Sequence, residues 1–200
     1  MIKAFLFDIG NVLVRFDHSR AVEQIQRKSE ATAEQIRGVV EAMIAPLETG
    51  SLSTEDFLQQ AVEGMGFQGT TSEFADIYCS IFIPHDPMGE LVQKLRGRYP
   101  LYLFSNTSEL HLEHLRQNYP VFEAFKDGVF SMRVKSMKPD RKIYEAAAEL
   151  MQVEPHEVFY IDDLPANTNQ GAEFGFHAHT YDWREHGRLV AEVAEITEAF

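Results

Sequence analysis

The chain has 200 residues, a length that suits one core domain with a modest insertion better than two complete domains. Its 18 Lys and Arg residues against 31 Asp and Glu residues give a formal net charge of -13. Such a surface repels phosphate backbones and anionic membranes, which argues against nucleic acid and membranes as partners.

The 44% hydrophobic content, with 15 Phe, is enough for a sizeable core. The sequence shows neither a signal-peptide pattern nor an apolar run of membrane-spanning length. We therefore expect a cytoplasmic protein. The sequence leaves open whether the protein is a monomer or a homodimer.

The chain opens with an apolar run over residues 2–7, which predicts a buried strand. Asp8 follows this run directly, so its carboxylate is expected at the carboxyl edge of a sheet, where open α/β folds bind ligands. A residue that only turns the chain or caps a helix would fit the same position. A functional role becomes the better interpretation if the same pattern recurs along the chain.

Residues 16–84 carry apolar residues at helical spacing and no strand pattern. They predict an all-helical insertion of four helices, of which the third begins at the N-cap Ser53 and the fourth covers about 72–82. Pro84 and Pro87 are expected to stop helical structure and to mark the return to the main domain.

From residue 88 onward the pattern alternates between helices and strands. Helices are predicted to about 98, over 109–118, 141–151 and 166–174, and from about 185; strands are predicted over 101–104, 128–131, 158–161 and 176–180. This alternation predicts an α/β fold with a Rossmann-like parallel sheet and helices on both faces. We expect a core domain of residues 1–15 and 85–200 and a helical domain of residues 16–84.

Four polar clusters lie at or near the ends of the predicted strands: Asp8, Ser105 with Asn106, Lys138, and Asp162 with Asp163. Parallel strands place their carboxyl ends on one edge of a sheet, so these side chains are expected to converge. Neighbouring carboxylates repel one another unless a cation lies among them, and hard oxygen ligands favour Mg²⁺. The set predicts a site for phosphate and a divalent metal.

Each side chain has a chemical task at such a site. Asp8 can attack phosphorus and form an aspartyl-phosphate, which water cleaves in a second step. Ser105 and Asn106 precede a predicted helix, where a hydroxyl, an amide and backbone N–H groups can hold phosphoryl oxygens. Lys138 adds a positive charge. A helix-start loop would also explain Ser105 and Asn106, and Lys138 could be one more solvated lysine, as we expect of Lys135.

The chain resembles the haloacid dehalogenase (HAD) superfamily of phosphatases and related hydrolases over nearly its whole length. The resemblance rests on four segments in order: Phe7-Asp8-Ile9-Gly10-Asn11-Val12, Leu103-Phe104-Ser105-Asn106, Lys138-Pro139-Asp140-Arg141-Lys142-Ile143-Tyr144 and Ile161-Asp162-Asp163-Leu164-Pro165-Ala166-Asn167. The predicted helical insertion lies where that family places its cap. Within the family, the chain is similar to bacterial phosphatases that act on α-glucose 1-phosphate. The resemblance implies Mg²⁺-dependent hydrolysis of a small phosphorylated metabolite, such as a hexose 1-phosphate.

The resemblance also implies a role for each residue of the acidic cluster. Asp8 would be the nucleophile and a metal ligand, and Gly10 would offer its backbone carbonyl to the metal. Asp163 would be the direct acidic ligand, with Asp162 beside it in the metal site. Lys138 would neutralise both the phosphoryl group and Asp8.

Three further residues are implied to bind the substrate. Ser105 and Asn106 would bind the phosphoryl group. Glu48 belongs to a segment that resembles the family's loop between cap helices, which dips toward the substrate. A solvated turn would explain Glu48 nearly as well.

Gly10 departs from the pattern of many phosphatases of this family, which carry an Asp there as general acid and base. A glycine keeps the carbonyl but cannot transfer a proton, and general acid–base help contributes roughly 10² to 10⁴ in rate. We therefore hypothesise a preference for acidic leaving groups, such as the anomeric hydroxyl of a sugar 1-phosphate. Asn11 and Asp17 are candidate substitutes for the missing acid.

Three other functions remain open. A metal-independent dehalogenase also uses an Asp nucleophile, although its fourth motif is not an acidic pair. A signalling receiver domain accepts a phosphoryl group on Asp, but its acidic pair follows the first strand and its acceptor follows a later one. A catalytically silent relative that binds a phosphorylated metabolite would account for Gly10.

Five other residues are predicted to be structural. Cys79, the single cysteine, is expected to act as a small buried hydrophobe. His111 and His114 lie three apart on a predicted helix and could hold a metal, but a solvated face is the preferred interpretation. His177 and His179 share one face of a strand, and no acid near them in sequence completes a zinc set.

Overall fold

The structure is a computed structural model that describes residues 1–197. Along these residues the chain forms seven strands: β1 (Ala4–Phe7), β2 (Val14–Phe16), β3 (Phe82–Pro84), β4 (Leu101–Ser105), β5 (Asp127–Phe130), β6 (Val158–Asp162) and β7 (His177–Thr180). The α-helices are α1 (His18–Gln26), α2 (Ala33–Glu48), α3 (Thr54–Met65), α4 (Thr71–Cys79), α5 (Asp86–Leu95), α6 (Glu109–Asn118), α7 (Ser131–Val134), α8 (Arg141–Met151), α9 (Pro165–Phe174) and α10 (His186–Thr197). Among the described residues, we find no helix with the length and apolar character needed to cross a membrane.

Five of the strands form one parallel sheet in the order β5-β4-β1-β6-β7. The central strand β1 pairs with β4 and β6, so that Phe5 lies opposite Leu101 on one side and Phe159 on the other. Every strand of this sheet runs in the same direction. The predicted α/β fold with a Rossmann-like parallel sheet is confirmed.

The sheet is buried on both faces, because successive side chains of a strand point to opposite sides. Phe5 and Phe7 pack on one face in a hydrophobic cluster with residues of α5, α6 and α10. Ala4 and Leu6 pack on the other face with residues of α8. Two-sided burial explains why β1 is a continuous apolar run rather than an alternating one.

The four predicted helices before residue 84 are present as α1–α4. They share a hydrophobic cluster of their own that includes Phe57 and Phe74. Helices α2, α3 and α4 begin after Thr32, Ser53 and Thr70, whose hydroxyl oxygens accept hydrogen bonds from backbone N–H groups three residues further on. These caps satisfy N–H groups that the helices themselves leave unpaired.

Two details of the sequence prediction are wrong. Residues 82–84 form β3, which pairs antiparallel with β2 so that Val14 lies opposite Pro84. A strand of three residues is too short to show a period of two. Pro87 does not stop a helix, because it is the second residue of α5, where the missing N–H of proline is tolerated.

Candidate active site

Three adjacent strands bring the predicted site residues to one edge of the sheet. Asp8 follows β1, Ser105 ends β4 and Asp162 ends β6. The Asp8 backbone N–H donates a hydrogen bond of 2.9 Å to the Ile161 carbonyl, which continues the β1–β6 ladder by one residue. The position of the Asp8 carboxylate is therefore set by the sheet itself.

Lys138 is buried at the centre of this edge, with three oxygen atoms around its ammonium group. Its Nζ lies 2.9 Å from Asp8 Oδ1 and 2.5 Å from Asp162 Oδ2, and it donates to the Phe104 carbonyl at 2.8 Å. Burial alone would lower the pKa of Lys138, but the two carboxylates outweigh that effect and raise it. Lys138 is a fixed cation that links Asp8 to Asp162.

The side chain of Asn106 holds the backbone of Lys138. Asn106 Oδ1 accepts from the Lys138 N–H at 2.8 Å, and Asn106 Nδ2 donates to the Lys138 carbonyl at 3.0 Å. Ser105 is buried beside it, and its hydroxyl donates a long hydrogen bond of 3.3 Å to the Asn106 carbonyl. The Asn106 amide thus positions the lysine, a contact that the sequence did not indicate.

Asp162 is fully buried and accepts four hydrogen bonds. Its Oδ2 accepts from Lys138 Nζ and from the Tyr160 hydroxyl at 2.6 Å. Its Oδ1 accepts from the Leu164 N–H at 2.9 Å and from Asn167 Nδ2 at 3.0 Å. Because a carboxylate offers about four lone-pair positions, these contacts occupy Asp162 and orient it toward Lys138.

Asp163 accepts a hydrogen bond of 2.9 Å at its Oδ2 from Asn11 Nδ2. Asp8, Asp162 and Asp163 each offer an oxygen atom, and these three atoms lie within 4.8 Å of one another. Burial and the neighbouring carboxylates raise the pKa of Asp8 to about 7, with Lys138 acting in the opposite direction. Burial likewise raises the pKa of Asp163.

A cation would relieve this crowding of buried carboxylates. Asp8 and Asp163 have fewer hydrogen-bond partners than Asp162, and both line the same cavity as Gly10, which carries a backbone carbonyl two residues after Asp8. Oxygen donors of this kind, with space for water, fit a small hard cation such as Mg²⁺. The donor set present in the chain is therefore compatible with the predicted metal.

Gly10 lies against the ring of Phe16. A Cβ atom at position 10 would come within 2.7 Å of Phe16 Cε2, so a side chain there would require the ring to shift. Packing with Phe16 is a physical reason for glycine at this position.

A cavity of about 510 Å³ opens above the carboxylate cluster, between the sheet edge and the inserted helices. Its walls include Asp8, Ser105 and Lys138 from the sheet edge and Glu48 from the end of α2. Burial raises the pKa of Glu48 to about 7, although Lys138 acts in the opposite direction. The cavity therefore has a carboxyl group that is partly protonated near neutral pH. Asp17, a candidate substitute acid, instead caps α1 and accepts from the Ser19 backbone N–H at 3.1 Å.

The loop after Glu48 is fastened to the core by Lys135, which we expected to be solvated. Lys135 Nζ donates to the Gly50 carbonyl at 2.9 Å. Gly50 has a φ of +64°, and a Cβ atom there would lie 2.6 Å from the Met132 carbonyl oxygen. This close approach holds the Glu48 segment against α7 and Lys135, which follow β5.

Three histidines have surroundings that the sequence interpretation did not predict: His111, His177 and His179. His111 is not on a solvated face: it lines the cavity, with its Nε2 buried. His177 and His179 do have an acid nearby, since Glu192 of α10 accepts a 3.1 Å contact from His177 Nε2 and a 2.5 Å contact from His179 Nδ1. Glu192 is 13 or more residues away, so local sequence could not reveal it.

The chain is similar to known hydrolases over most of its length. The family model described as haloacid dehalogenase-like hydrolase matches residues 2–175. A D-ribitol-5-phosphate phosphatase of Bacteroides thetaiotaomicron is 26% identical over 198 residues, which cover 92% of this chain and 96% of the relative.

Solved structures of two hydrolases share the fold of this chain. A HAD family enzyme of Bacteroides thetaiotaomicron, in complex with magnesium and inorganic phosphate, superposes with a TM-score of 0.78 at 27% identity, covering 92% of this chain and 96% of that one. An L-2-haloacid dehalogenase of Xanthobacter autotrophicus, with chloropropionic acid covalently bound, superposes with a TM-score of 0.67 at 19% identity, covering 98% of this chain and 84% of that one. The second likeness shows a shared fold only.

Proposed function

The chain belongs to the haloacid dehalogenase-like hydrolase family, and on that premise we propose that it is a Mg²⁺-dependent phosphatase of small phosphorylated metabolites. The observation that carries the proposal is the group of three carboxylates, Asp8, Asp162 and Asp163, gathered at the sheet edge beside Lys138. A haloacid dehalogenase needs one carboxylate nucleophile, whereas three acids around a cation site suit phosphoryl transfer.

Asp8 is the proposed nucleophile. Its carboxylate oxygen attacks phosphorus, the bond between phosphorus and the leaving-group oxygen breaks, and that oxygen takes up a proton. Water then attacks the aspartyl-phosphate, which releases inorganic phosphate and restores the carboxylate. Lys138, 2.9 Å from Asp8 Oδ1, keeps Asp8 in place and balances negative charge as the phosphoryl group is transferred.

We propose that Asp8, the Gly10 carbonyl and Asp163 hold the metal. When bound, Mg²⁺ would neutralise the carboxylates and polarise the phosphoryl group. Asp162, also predicted as a ligand, lies in the same cluster, but its four hydrogen bonds favour a role beside the metal, where it orients Lys138.

Ser105 and Asn106 are the proposed phosphoryl-binding residues. Both line the cavity next to Asp8. The Ser105 hydroxyl can turn toward a phosphoryl oxygen, because its hydrogen bond to the Asn106 carbonyl is long at 3.3 Å. The Asn106 amide also holds the Lys138 backbone on both sides, and the second hydrogen of its Nδ2 can be donated to a phosphoryl oxygen.

Glu48 is proposed to contact the leaving group. It enters the cavity from the inserted helices, whereas Asp8 and Lys138 enter from the sheet. With a pKa of about 7, its carboxyl group can donate a proton to the departing oxygen near neutral pH, which Gly10 cannot do. Residues 16–84 would then act as a cap domain over the core formed by residues 1–15 and 85–200.

For the substrate we propose a sugar phosphate or a sugar-alcohol phosphate. A hexose 1-phosphate fits Gly10 even without a proton donor, because the anomeric oxygen leaves with less help from an acid, whereas an ordinary alcohol would need the proton of Glu48. The activity named for the Bacteroides relative favours a pentitol 5-phosphate instead. Both belong to one class, small phosphate monoesters with several hydroxyl groups.

The test is hydrolysis of α-glucose 1-phosphate, D-ribitol 5-phosphate and p-nitrophenyl phosphate, with Mg²⁺ and with EDTA, by the native protein and by Asp8→Asn. We expect Mg²⁺-dependent release of phosphate by the native protein and none by the variant. Halide release from 2-chloropropionate that survives EDTA would favour the dehalogenase. Binding of these esters without turnover would favour a catalytically silent relative.

A further inference from the structure

Tyr78, near the end of α4, is held by other aromatic rings in the wall of the cavity that also contains Asp8. Its ring lies nearly parallel to that of His111, with centroids 4.4 Å apart, and against that of Phe57 at 4.9 Å. Only 9% of the residue is exposed. Because a phenol oxygen lies in the plane of its ring, these contacts also fix the position of the hydroxyl oxygen.

The Tyr78 hydroxyl has no hydrogen-bond partner within residues 1–197. In that part of the chain, two unpaired side-chain polar atoms are shut off from solvent, one in His111 and one in Ser136, and the Tyr78 oxygen is not one of them. The oxygen is therefore open to the cavity. The hydroxyl of a largely buried tyrosine usually finds a partner, and here a bound molecule can supply it.

The wall around Tyr78 is mostly apolar. It includes Val22, Val40 and Ile44, all of them partly exposed. Burial, and after it the negative charge of Glu48, raise the pKa of Tyr78, so the hydroxyl keeps its proton and has a carboxyl group nearby. Ligand cavities are typically lined by apolar side chains with a few polar groups that fix the orientation of the ligand. Tyr78 and Glu48 form such a polar pair.

A neutral hydroxyl group is the partner that fits this pair. The Tyr78 hydroxyl can donate one hydrogen bond and accept another. A carboxylate or a second phosphate would be repelled by Glu48 whenever Glu48 is ionised, and a cation would be repelled by Lys138, whose charge reaches Glu48. A hydroxyl group of the leaving alcohol carries no charge, and it too can both donate and accept.

We propose that Tyr78 is a specificity-determining residue whose hydroxyl forms a hydrogen bond with a hydroxyl group of the leaving alcohol. It selects phosphate monoesters whose alcohol carries further hydroxyl groups over esters of the same size without them. This inference rests on the proposed phosphatase function and narrows its substrate class.

The experiment compares the native protein with Tyr78→Phe, which removes one oxygen atom and keeps the ring. Tyr102→Phe is the matched control, because Tyr102 is a buried tyrosine that packs with Ala4 and Leu6 and does not line the cavity. The substrates form two pairs: D-ribitol 5-phosphate with n-pentyl phosphate, and α-glucose 1-phosphate with cyclohexyl phosphate. Within each pair the chain or ring has the same size. A fifth ester, p-nitrophenyl phosphate, reports on the chemistry at Asp8.

For Tyr78→Phe we expect kcat/KM to fall about 10- to 100-fold on the hydroxylated ester that the native protein prefers, because a substrate hydroxyl loses its partner in a site shielded from water. The matched ester without hydroxyl groups and p-nitrophenyl phosphate should change by less than about twofold. Tyr102→Phe should leave all these values unchanged. Thermal unfolding of Tyr78→Phe should match that of the native protein, since the hydroxyl has no partner within residues 1–197.

Equal losses on both members of a pair, or no loss on either, would overturn the role of Tyr78 and leave the phosphatase proposal intact. A native protein that hydrolyses n-pentyl and cyclohexyl phosphate at least as well as their hydroxylated partners would do the same. A clearly lower unfolding temperature of Tyr78→Phe would show that the hydroxyl is bonded inside the folded chain, which also contradicts the role. A native protein that hydrolyses none of the esters would overturn both proposals.

Discussion

Glu48 gives a prediction whose size can be worked out from the structure. Burial raises the pKa of its carboxyl group from the ordinary 4.5 to about 7 in the folded protein. Between these values the folded state binds more protons than the unfolded state. The unfolding free energy that depends on Glu48 therefore decreases as the pH rises through this window, and the loss is complete above the folded pKa.

The variant Glu48→Gln keeps the size of the side chain and removes its ionisation. The interval from 4.5 to about 7 corresponds to about 3 kcal/mol of unfolding free energy. This is an upper value, since Glu48 is only partly shielded from water. We expect the variant and the native protein to be equally stable near about pH 4.5 and the variant to be up to about 3 kcal/mol more stable near about pH 8.

The assay is urea denaturation at a series of pH values, in EDTA so that no divalent cation binds Asp8 or Asp163. Glu41→Gln is the control, because Glu41 is an exposed residue of the same helix, α2. The control should follow the native profile. Parallel profiles for Glu48→Gln and the native protein would refute the reasoning, since they would mean that Glu48 ionises as freely in the cavity as in water.

Two further predictions concern contacts that hold the site together, the ion pairs of Lys138 and the close packing at Gly50. Lys138→Met leaves Asp8 and Asp162 buried without a cation, so we expect loss of activity and an unfolding free energy lower by about 3–5 kcal/mol in urea titrations; a change below about 1 kcal/mol would contradict the pairing at 2.9 and 2.5 Å. Gly50→Ala should cost about 1–3 kcal/mol, because φ is +64° and the space is filled, whereas Gly38→Ala, with open space inside α2, should be neutral or slightly stabilising in the same titration; equal effects would argue against a tight contact at Gly50.

The sheet could be predicted because its strands are short apolar runs in the sequence. The convergence of the acidic residues could be predicted because parallel strands place their carboxyl ends on one edge of the sheet. The helices predicted over 109–118 and 141–151 occur at those residues as α6 and α8. Asp8 and Asp162 come together because β1 and β6 are parallel neighbours. Their catalytic roles stay predictions until activity is measured.

Contacts between helices α1–α4 and the rest of the structure could not be predicted in the same way. Lys135 donates to Gly50, 85 residues away, and the His111 ring stacks on Tyr78 of α4. Each of these side chains has a sequence context that is equally typical of a solvated surface. Their environment depends on how two sets of helices pack, which hydrophobic periodicity does not encode.

The contact between Asn106 and the Lys138 backbone is another feature that could not be predicted from the sequence. The sequence indicates a polar residue after a strand, which suits phosphate binding, and the structure adds a second task for the same amide. It holds both the N–H and the carbonyl of Lys138, at 2.8 and 3.0 Å. Asn106 follows β4 and Lys138 lies 32 residues later, so the contact depends on the folding of the chain and not on local residue type or spacing.

The most direct test of the central claim is a covalent trap on Asp8. The native protein is mixed with p-nitrophenyl phosphate and Mg²⁺, quenched with acid within one turnover, digested and analysed by mass spectrometry, with Asp8→Asn treated in parallel. We predict a phosphoryl group on Asp8 that disappears as turnover proceeds and is absent from the variant. Phosphate release by the native protein with the label on another residue, or undiminished release by Asp8→Asn, would contradict the account.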